Sequence, residues 1–163
     1  MHQEEPAISI RKARIGDGRD ILECLKEAFA AFRDSYTPDA FVDTVLAPKS
    51  LGHRLATMCV FVAVNDAGEV IGTVACNVVN QGEGHIRGMA VRPAWHGRGV
   101  ATLLLASVEA ELRKCRCSRI TLDTTAPLQR AMLFYEKHGF TRSGRVADFF
   151  GMEVFEYVKI LRT

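Results

Sequence analysis

The sequence predicts a mixed α/β fold, with one mixed sheet of about seven strands flanked by helices. Three observations predict it. Short runs of alternating or β-branched residues are interspersed with stretches whose apolar residues recur at helical spacing. Those segments follow in the order β, two or three α, three β, α, β, α, β, β. No linker, repeat or low-complexity stretch divides them, and 163 residues fill one domain, 1–163, of which residues 1–7 are expected to be a flexible lead.

Ile8 to Lys12 alternates as a strand. After Gly16-Asp17-Gly18, Ile21, Leu22, Leu25, Ala28, Phe29 and Phe32 lie on one helical face. Thr37-Pro38 reads as an N-cap followed by proline at the first helical position, opening a second helix to about Leu46. Pro48 starts a further short helix carrying Leu51 and Leu55. Cys59–Asn65 and Val70–Val79 are β-rich and joined by Asp66-Ala67-Gly68, a hairpin signal, and Gly84–Val91 is a third strand. From Gly99 to Cys115, Val100, Leu103, Leu104, Ser107, Val108 and Leu112 form one helical face. Arg119–Thr124 reads as a strand, and Pro127–His138 as a helix stopped by Gly139. Strands near Thr141–Val146 and Glu153–Leu161 close the chain.

Composition narrows the function classes. Hydrophobic residues make up 48% and charged residues 25%, proportions of a soluble globular protein. Lys and Arg number 21 against 19 Asp and Glu, a net charge of +2, which disfavours a binder of long nucleic acid. The five cysteines have no framework spacing, Cys115-Arg-Cys117 is too tight for a CxxC motif, and the five histidines are scattered. No metal site is therefore expected. The acidic N-terminus lacks a signal-peptide core, and the longest apolar run, Met58–Val64, is far short of the roughly 20 residues that span a bilayer. A cytoplasmic protein without nucleic-acid or membrane partners is expected.

The chemistry concentrates in Gly88–Thr102. A strand ends there, a loop with Gly97 and Gly99 follows, and an amphipathic helix begins. Unpaired amides and the positive helix end suit phosphate oxygens, and glycine removes Cβ atoms where backbone meets an anion. The same glycines also fit a tight turn. A P-loop would need Lys and then Ser or Thr after the last glycine, where Val100-Ala101 stand. A dinucleotide fingerprint could read Gly97-Arg-Gly99-Val-Ala-Thr102, with Asp123 as ribose ligand. Pro93–His96 intervene between strand and first glycine, however, and the preceding strands look like hairpins where βαβ units belong.

Two motifs carry a family resemblance. His96-Gly-Arg-Gly99-Val-Ala101, after the strand ending Met89-Ala-Val91, is similar to the loop Gln/Arg-x-x-Gly-x-Gly/Ala. Ala131-Met-Leu-Phe134-Tyr135-Glu-Lys-His-Gly139-Phe140 is similar to Ala-x-x-Phe-Tyr-x-x-x-Gly-Phe. Together they resemble the GNAT superfamily of acetyl-CoA-dependent N-acetyltransferases, from Ile8 to Leu161. His96 departs from the usual Gln or Arg, and Leu128 stands where many members have an Asn that bonds the pantetheine arm, a contact either absent here or supplied by another group such as Thr124 or Thr125.

The resemblance implies a mostly antiparallel sheet that splays beside a cofactor cleft, with acetyl-CoA as co-substrate and no metal. Gly88 would be a bulge or close-approach point. Met89, Ala90 and Val91 would bind the pantetheine arm, the backbone of Met89 and Val91 pairing with its amides. His96, Gly97, Arg98, Gly99, Val100, Ala101 and Thr102 would hold the pyrophosphate, with Arg92 or Arg98 reaching an outer phosphate. Tyr135 would be the general acid for the leaving thiolate, although the pattern alone also fits a core aromatic beside Phe134. Asp123, His85 and Glu83 are the candidates for the base, and Asp123 stands where some members carry a catalytic Glu. Phe29, Phe32, Arg33, Tyr36, Phe41, Asp148, Phe149, Phe150 and Met152 would form an acceptor pocket in which Asp148 attracts a cation, or core packing. The partners implied are acetyl-CoA and a primary amine of a small molecule or peptide, and the resemblance admits a homodimer. A noncatalytic acyl-CoA-binding sensor is the alternative.

Overall fold

Valine, isoleucine and threonine crowd residues 59–91, and there the backbone runs in extended hairpins. The computed structural model describes residues 7–162, so the expected flexible lead lies, apart from Ala7, outside the described residues. The strands are β1 (Ser9–Lys12), β2 (Cys59–Val64), β3 (Val70–Asn80), β4 (Glu83–Val91), β5 (Arg119–Thr125), β6 (Thr141–Phe149) and β7 (Met152–Ile160). They form one seven-stranded sheet in the order β1-β2-β3-β4-β5-β7-β6. Every pairing is antiparallel except β4 with β5.

The helices are α1 (Gly18–Phe29), α2 (Pro38–Val45), α3 (Pro48–Thr57), α4 (Val100–Lys114) and α5 (Gln129–Lys137). The predicted first helix ends before Phe32, because the chain tightens into a 3₁₀ segment over Ala30–Ser35. Thr37 caps α2, its Oγ1 accepting from Ala40 N–H at 3.3 Å. α5 starts later than Pro127, because Leu128 N–H closes a turn on Thr125 O and Leu128 is not helical. The last two strands run longer than predicted, up to Phe150-Gly151, both in the left-handed region, a two-residue turn matched to strand twist.

Each sheet face has its own core. Leu104, Val108 and Leu112 of α4 pack with Ile71, Val74, Ile86 and Ile120 on one face, joined by Tyr135 and Phe140. Ile21 and Leu25 of α1 and Leu51 of α3 pack on Val60, Val62 and Ala75 on the other. Gly84 lets α4 sit close to β4, since a Cβ there would meet Leu112 Cδ2 at 2.6 Å. All five cysteines are free thiols, and no helix among the described residues is long and apolar enough to cross a membrane.

One ion pair ties the first strand to the turn before α1. Arg11 donates Nη1 and Nη2 to the Asp17 carboxylate at 2.7 and 2.9 Å, and Arg14 N–H donates to it at 2.7 Å. These bonds hold the buried Asp17 carboxyl below the ordinary aspartate value, more than offsetting its desolvation. A lowered folded value stabilises the fold above the unfolded pKa, about 3.9, and the gain is lost as pH falls through the folded one. Asp17→Asn is therefore expected to lose about 1–3 kcal/mol at pH 7 and much less near pH 2, as read by urea denaturation at the two pH values.

Candidate active site

β4 and β5 run side by side only at Glu83↔Arg119, Gly84↔Ile120 and His85↔Thr121, and then part. Beyond that point β4 bulges: Thr73 faces Ala90 while Ala75 faces Arg87, leaving Gly88 and Met89 opposite one residue of β3. Gly88 takes φ +63°, open mainly to glycine. A cleft of about 790 Å³ opens between the parted strands. Arg92 N–H donates to Ile71 O at 2.9 Å and Ala90 pairs with Thr73, so by alternation the backbone groups of Met89 and Val91 face the cleft and those of Ala90 face β3.

At one end of the cleft stands the N-terminus of α4. Gly97 and Gly99 adopt φ +75° and +77°, and a Cβ on either would meet no atom within 4 Å. The tight turn and the open approach expected of these glycines are both present. Gly99 caps α4 without a side-chain bond, no acidic residue occupies the first turn, and the amides of Val100, Ala101 and Thr102 lack helical acceptors. His96 Nε2 lies 3.0 Å from Val91 O, to which it donates, and Arg130 Nη1 donates to its Nδ1 at 3.1 Å. The backbone carbonyl of Val91 is thus already taken by a side chain.

The predicted cofactor residues Met89, Ala90, Val91, His96, Gly97, Gly99, Val100, Ala101 and Thr102 all line this cleft, together with Tyr135 and Asp123. Arg98 does not, because its guanidinium lies over the Trp95 ring at 5.0 Å. Arg92 is also committed elsewhere, with Nη1 on Glu27 at 2.6 Å and Nε on Val70 O at 2.7 Å. The cations that do line the cleft near the loop are Arg130 and Lys137 of α5, which no motif singles out.

Tyr135 is buried, its ring edge-on to Phe134 and Phe140 at 5.3 and 5.5 Å. The ring packs in the core, and the residue also borders the cleft. Burial alone pushes its phenol above the ordinary tyrosine value. Across the cleft on β5, the Thr124 hydroxyl is buried without a hydrogen-bond partner, while Thr125 Oγ1 is bonded to Tyr36 OH at 2.7 Å. Of the two threonines expected to replace the missing Asn, Thr124 is the one with a hydroxyl to spare.

The far end holds the titratable pair. His85 Nδ1 meets Thr121 Oγ1 at 2.8 Å, and His85 Nε2 lies 4.0 Å from Asp123 Oδ2. Thr121 Oγ1 also contacts Gly84 O at 3.5 Å; if it donates there, it accepts from His85 Nδ1–H and leaves the Nε2 lone pair bare. Burial is the main cause that pushes His85 below the ordinary histidine value, against the raising effect of Asp123. Glu83 borders a smaller cavity of about 250 Å³ on the other side of His85 and Asp123.

Of the residues predicted for the acceptor, Phe29, Phe32, Tyr36 and Phe149 line the cleft. Arg33 stacks on Phe41 at 5.3 Å, Phe150 is exposed in the hairpin turn, and Asp148 accepts from Gly151 N–H at 3.3 Å in that turn, so Asp148 faces no pocket. Arg54 of α3 lines the cleft and was not predicted, because its neighbours are brought together by the fold alone.

Comparison with known proteins agrees with this geometry. The model of the Acetyltransferase (GNAT) family matches residues 20–140. An aminoglycoside N(6')-acetyltransferase type 1 of Stenotrophomonas maltophilia is 31% identical over 130 residues, 75% of this chain and 84% of that one. YdhI of Bacillus subtilis is 31% identical over 80 residues, so that the match spans about half of each chain, 49% and 48%. The fold matches that of the PaiA N-acetyltransferase from Thermoplasma acidophilum in complex with coenzyme A, with TM-score 0.78 and 18% identity over 95% of this chain and 99% of that one. The chain belongs to the acetyltransferase (GNAT) family.

Proposed function

We propose that the protein transfers the acetyl group of acetyl-CoA to an amine by direct attack, with both substrates bound at once. The observation that carries this reading is the run of groups along one cleft: free helix amides, a buried phenol, and a neutral imidazole beside a carboxylate. The residues present fit coenzyme A. The loop glycines leave open space, the Thr124 hydroxyl lacks a partner, and Met89 presents its backbone to the cleft. Bound acetyl-CoA supplies an activated thioester.

The amides of Gly97 to Thr102, with the dipole of the 15-residue α4, would hold the pyrophosphate. Arg130 and Lys137 take the role expected of Arg92 or Arg98. The backbone of Met89 would pair with the pantetheine arm, and the Thr124 hydroxyl would make the bond that Leu128 cannot. Asp123 would draw in the acceptor ammonium, and the bare Nε2 of His85 would accept its proton; the 4.0 Å between them leaves room for a nitrogen or a water bonded to both. Tyr135 would hand its proton to the departing sulfur. Free cysteines, with Cys59 directly opposite Cys76 on β2 and β3, support a reducing, cytoplasmic setting.

An acetyl-CoA-dependent screen of amines, read by CoA release, tests the activity. Binding of acetyl-CoA without turnover on a broad panel would point instead to the sensor. Gly99→Glu puts bulk and negative charge at the loop, where φ is +77°, and is expected to abolish CoA binding by calorimetry while the fold is kept. Thr124→Val removes an unpaired buried hydroxyl. Thermal stability should hold or rise by about 1 kcal/mol, while CoA affinity falls about fivefold.

Tyr135→Phe is expected to leave stability nearly unchanged, because the hydroxyl has no partner among the described residues, and to lower kcat about 10²-fold. Wild-type kcat should show no basic limb from Tyr135 below about pH 10, since its phenol lies above that ordinary value. The acidic limb should fall below about pH 6.5, the ordinary histidine value beneath which His85 is pushed.

A further inference from the structure

We propose that Arg54 selects an acceptor amine that carries a carboxylate on an apolar skeleton, a hydrophobic amino acid being the simplest case. This rests on the transferase reading above and names its substrate class.

Arg54 extends from α3 into the cleft over the bulge of β4. A Cβ at Gly88 would collide with its guanidinium, so the glycine that shapes the bulge also makes room for the charge. The guanidinium is half-buried. Burial, and then the neighbouring Arg87, push its pKa down to about 10 against the pull of Asp43, so it remains a cation at neutral pH.

Among the described residues no carboxylate or carbonyl pairs with it. Asp43 is engaged with Arg87 at 3.9 Å. Other arginines of this region are satisfied, Arg92 by Glu27 and Val70 O, and Arg11 by Asp17. A guanidinium taken partly out of water without an anion is costly, and its planar fork is matched to a carboxylate. The missing anion belongs to something that enters the cleft.

The walls beside it say what else that molecule carries. Phe29, Phe32, Tyr36 and Phe149 line the same space and offer apolar surface. Asp123 and His85 would hold the amine end, and His85 stands three residues, about 10 Å of strand, from the Gly88 over which Arg54 lies. A polycation would meet Arg54 and Arg87 as like charges.

The test compares acceptors that differ only in the anion: L-phenylalanine, L-phenylalaninamide and phenethylamine, with L-leucine and its amide as a second pair, at saturating acetyl-CoA. The expected kcat/KM for the carboxylate is about tenfold or more above that for the amide. In Arg54→Gln that ratio should fall toward one, with Arg54→Lys between the two. Calorimetry of N-acetyl-L-phenylalanine and its amide on the CoA-loaded protein gives the same comparison without turnover, and the melting temperature of each variant confirms folding. Equal binding and turnover of carboxylate and amide, no binding of the carboxylate, or a preference that survives Arg54→Gln overturns the assignment while CoA binding still stands. Failure to bind acetyl-CoA overturns the transferase reading, and this assignment with it.

Discussion

β4 and β5 part in the middle of the sheet while each keeps its other neighbour. All seven residues of β5, Arg119 to Thr125, are in register with β7, while β4 stays in register with β3 as far as Val91. The two strands share three pairs, and the bulge at Gly88 then turns β4 away. Parting two strands in the middle of a sheet leaves backbone donors and acceptors that a closed sheet would satisfy. His96 caps the Val91 carbonyl, and the Met89 backbone, the first amides of α4 and the Thr124 hydroxyl are left without such partners. The site is thus a set of backbone and hydroxyl groups left open where the two strands part.

The parted strands also connect the two faces of the sheet, and the faces differ in charge. On the face of α4 and α5, the positive helix end is joined by Arg130 and Lys137, an environment for anions. On the face of α1 to α3, Asp43, Arg54 and Arg87 stand among aromatic rings, an environment for a small molecule with charges of both signs. Between them Tyr135 packs edge-on against Phe134 and Phe140. Charged groups thus sit at the two ends of the cleft, with aromatic rings between them.

The parts of the site that are local in sequence were legible. The strand, glycine loop and helix of Gly88–Thr102, the Phe134-Tyr135 helix with its Gly139 stop, and the alternating central hairpins all follow from spacing within about 15 residues. What depends on distant neighbours was not. Arg92 looked free in sequence, but it is spent on Glu27, which α1 delivers. Asp148 looked like a pocket charge and closes the turn that begins one residue after it, at the end of β6. Arg54 carried no signal, because its meaning comes from Gly88, and that contact exists only once α3 is laid across β4. Arg130 likewise carried no signal, because its reach to His96 exists only in the packed structure.

Burial of Tyr135 bears on why a phenol serves here. Raising its pKa above about 10 would make it a poorer donor in water. In the proposed reaction the sulfur would depart into the same cleft, where desolvation would penalise an anion as well. The proton affinities of phenolate and sulfur anion therefore rise together, and the driving force for transfer depends on their difference. Meanwhile the phenol stays protonated throughout the physiological range, so the acid is always loaded. The same physics acts with opposite sign at His85, where burial disfavours the cation and keeps the ring neutral. Burial in one cleft thus keeps the proposed acid protonated and the proposed base neutral at the same pH.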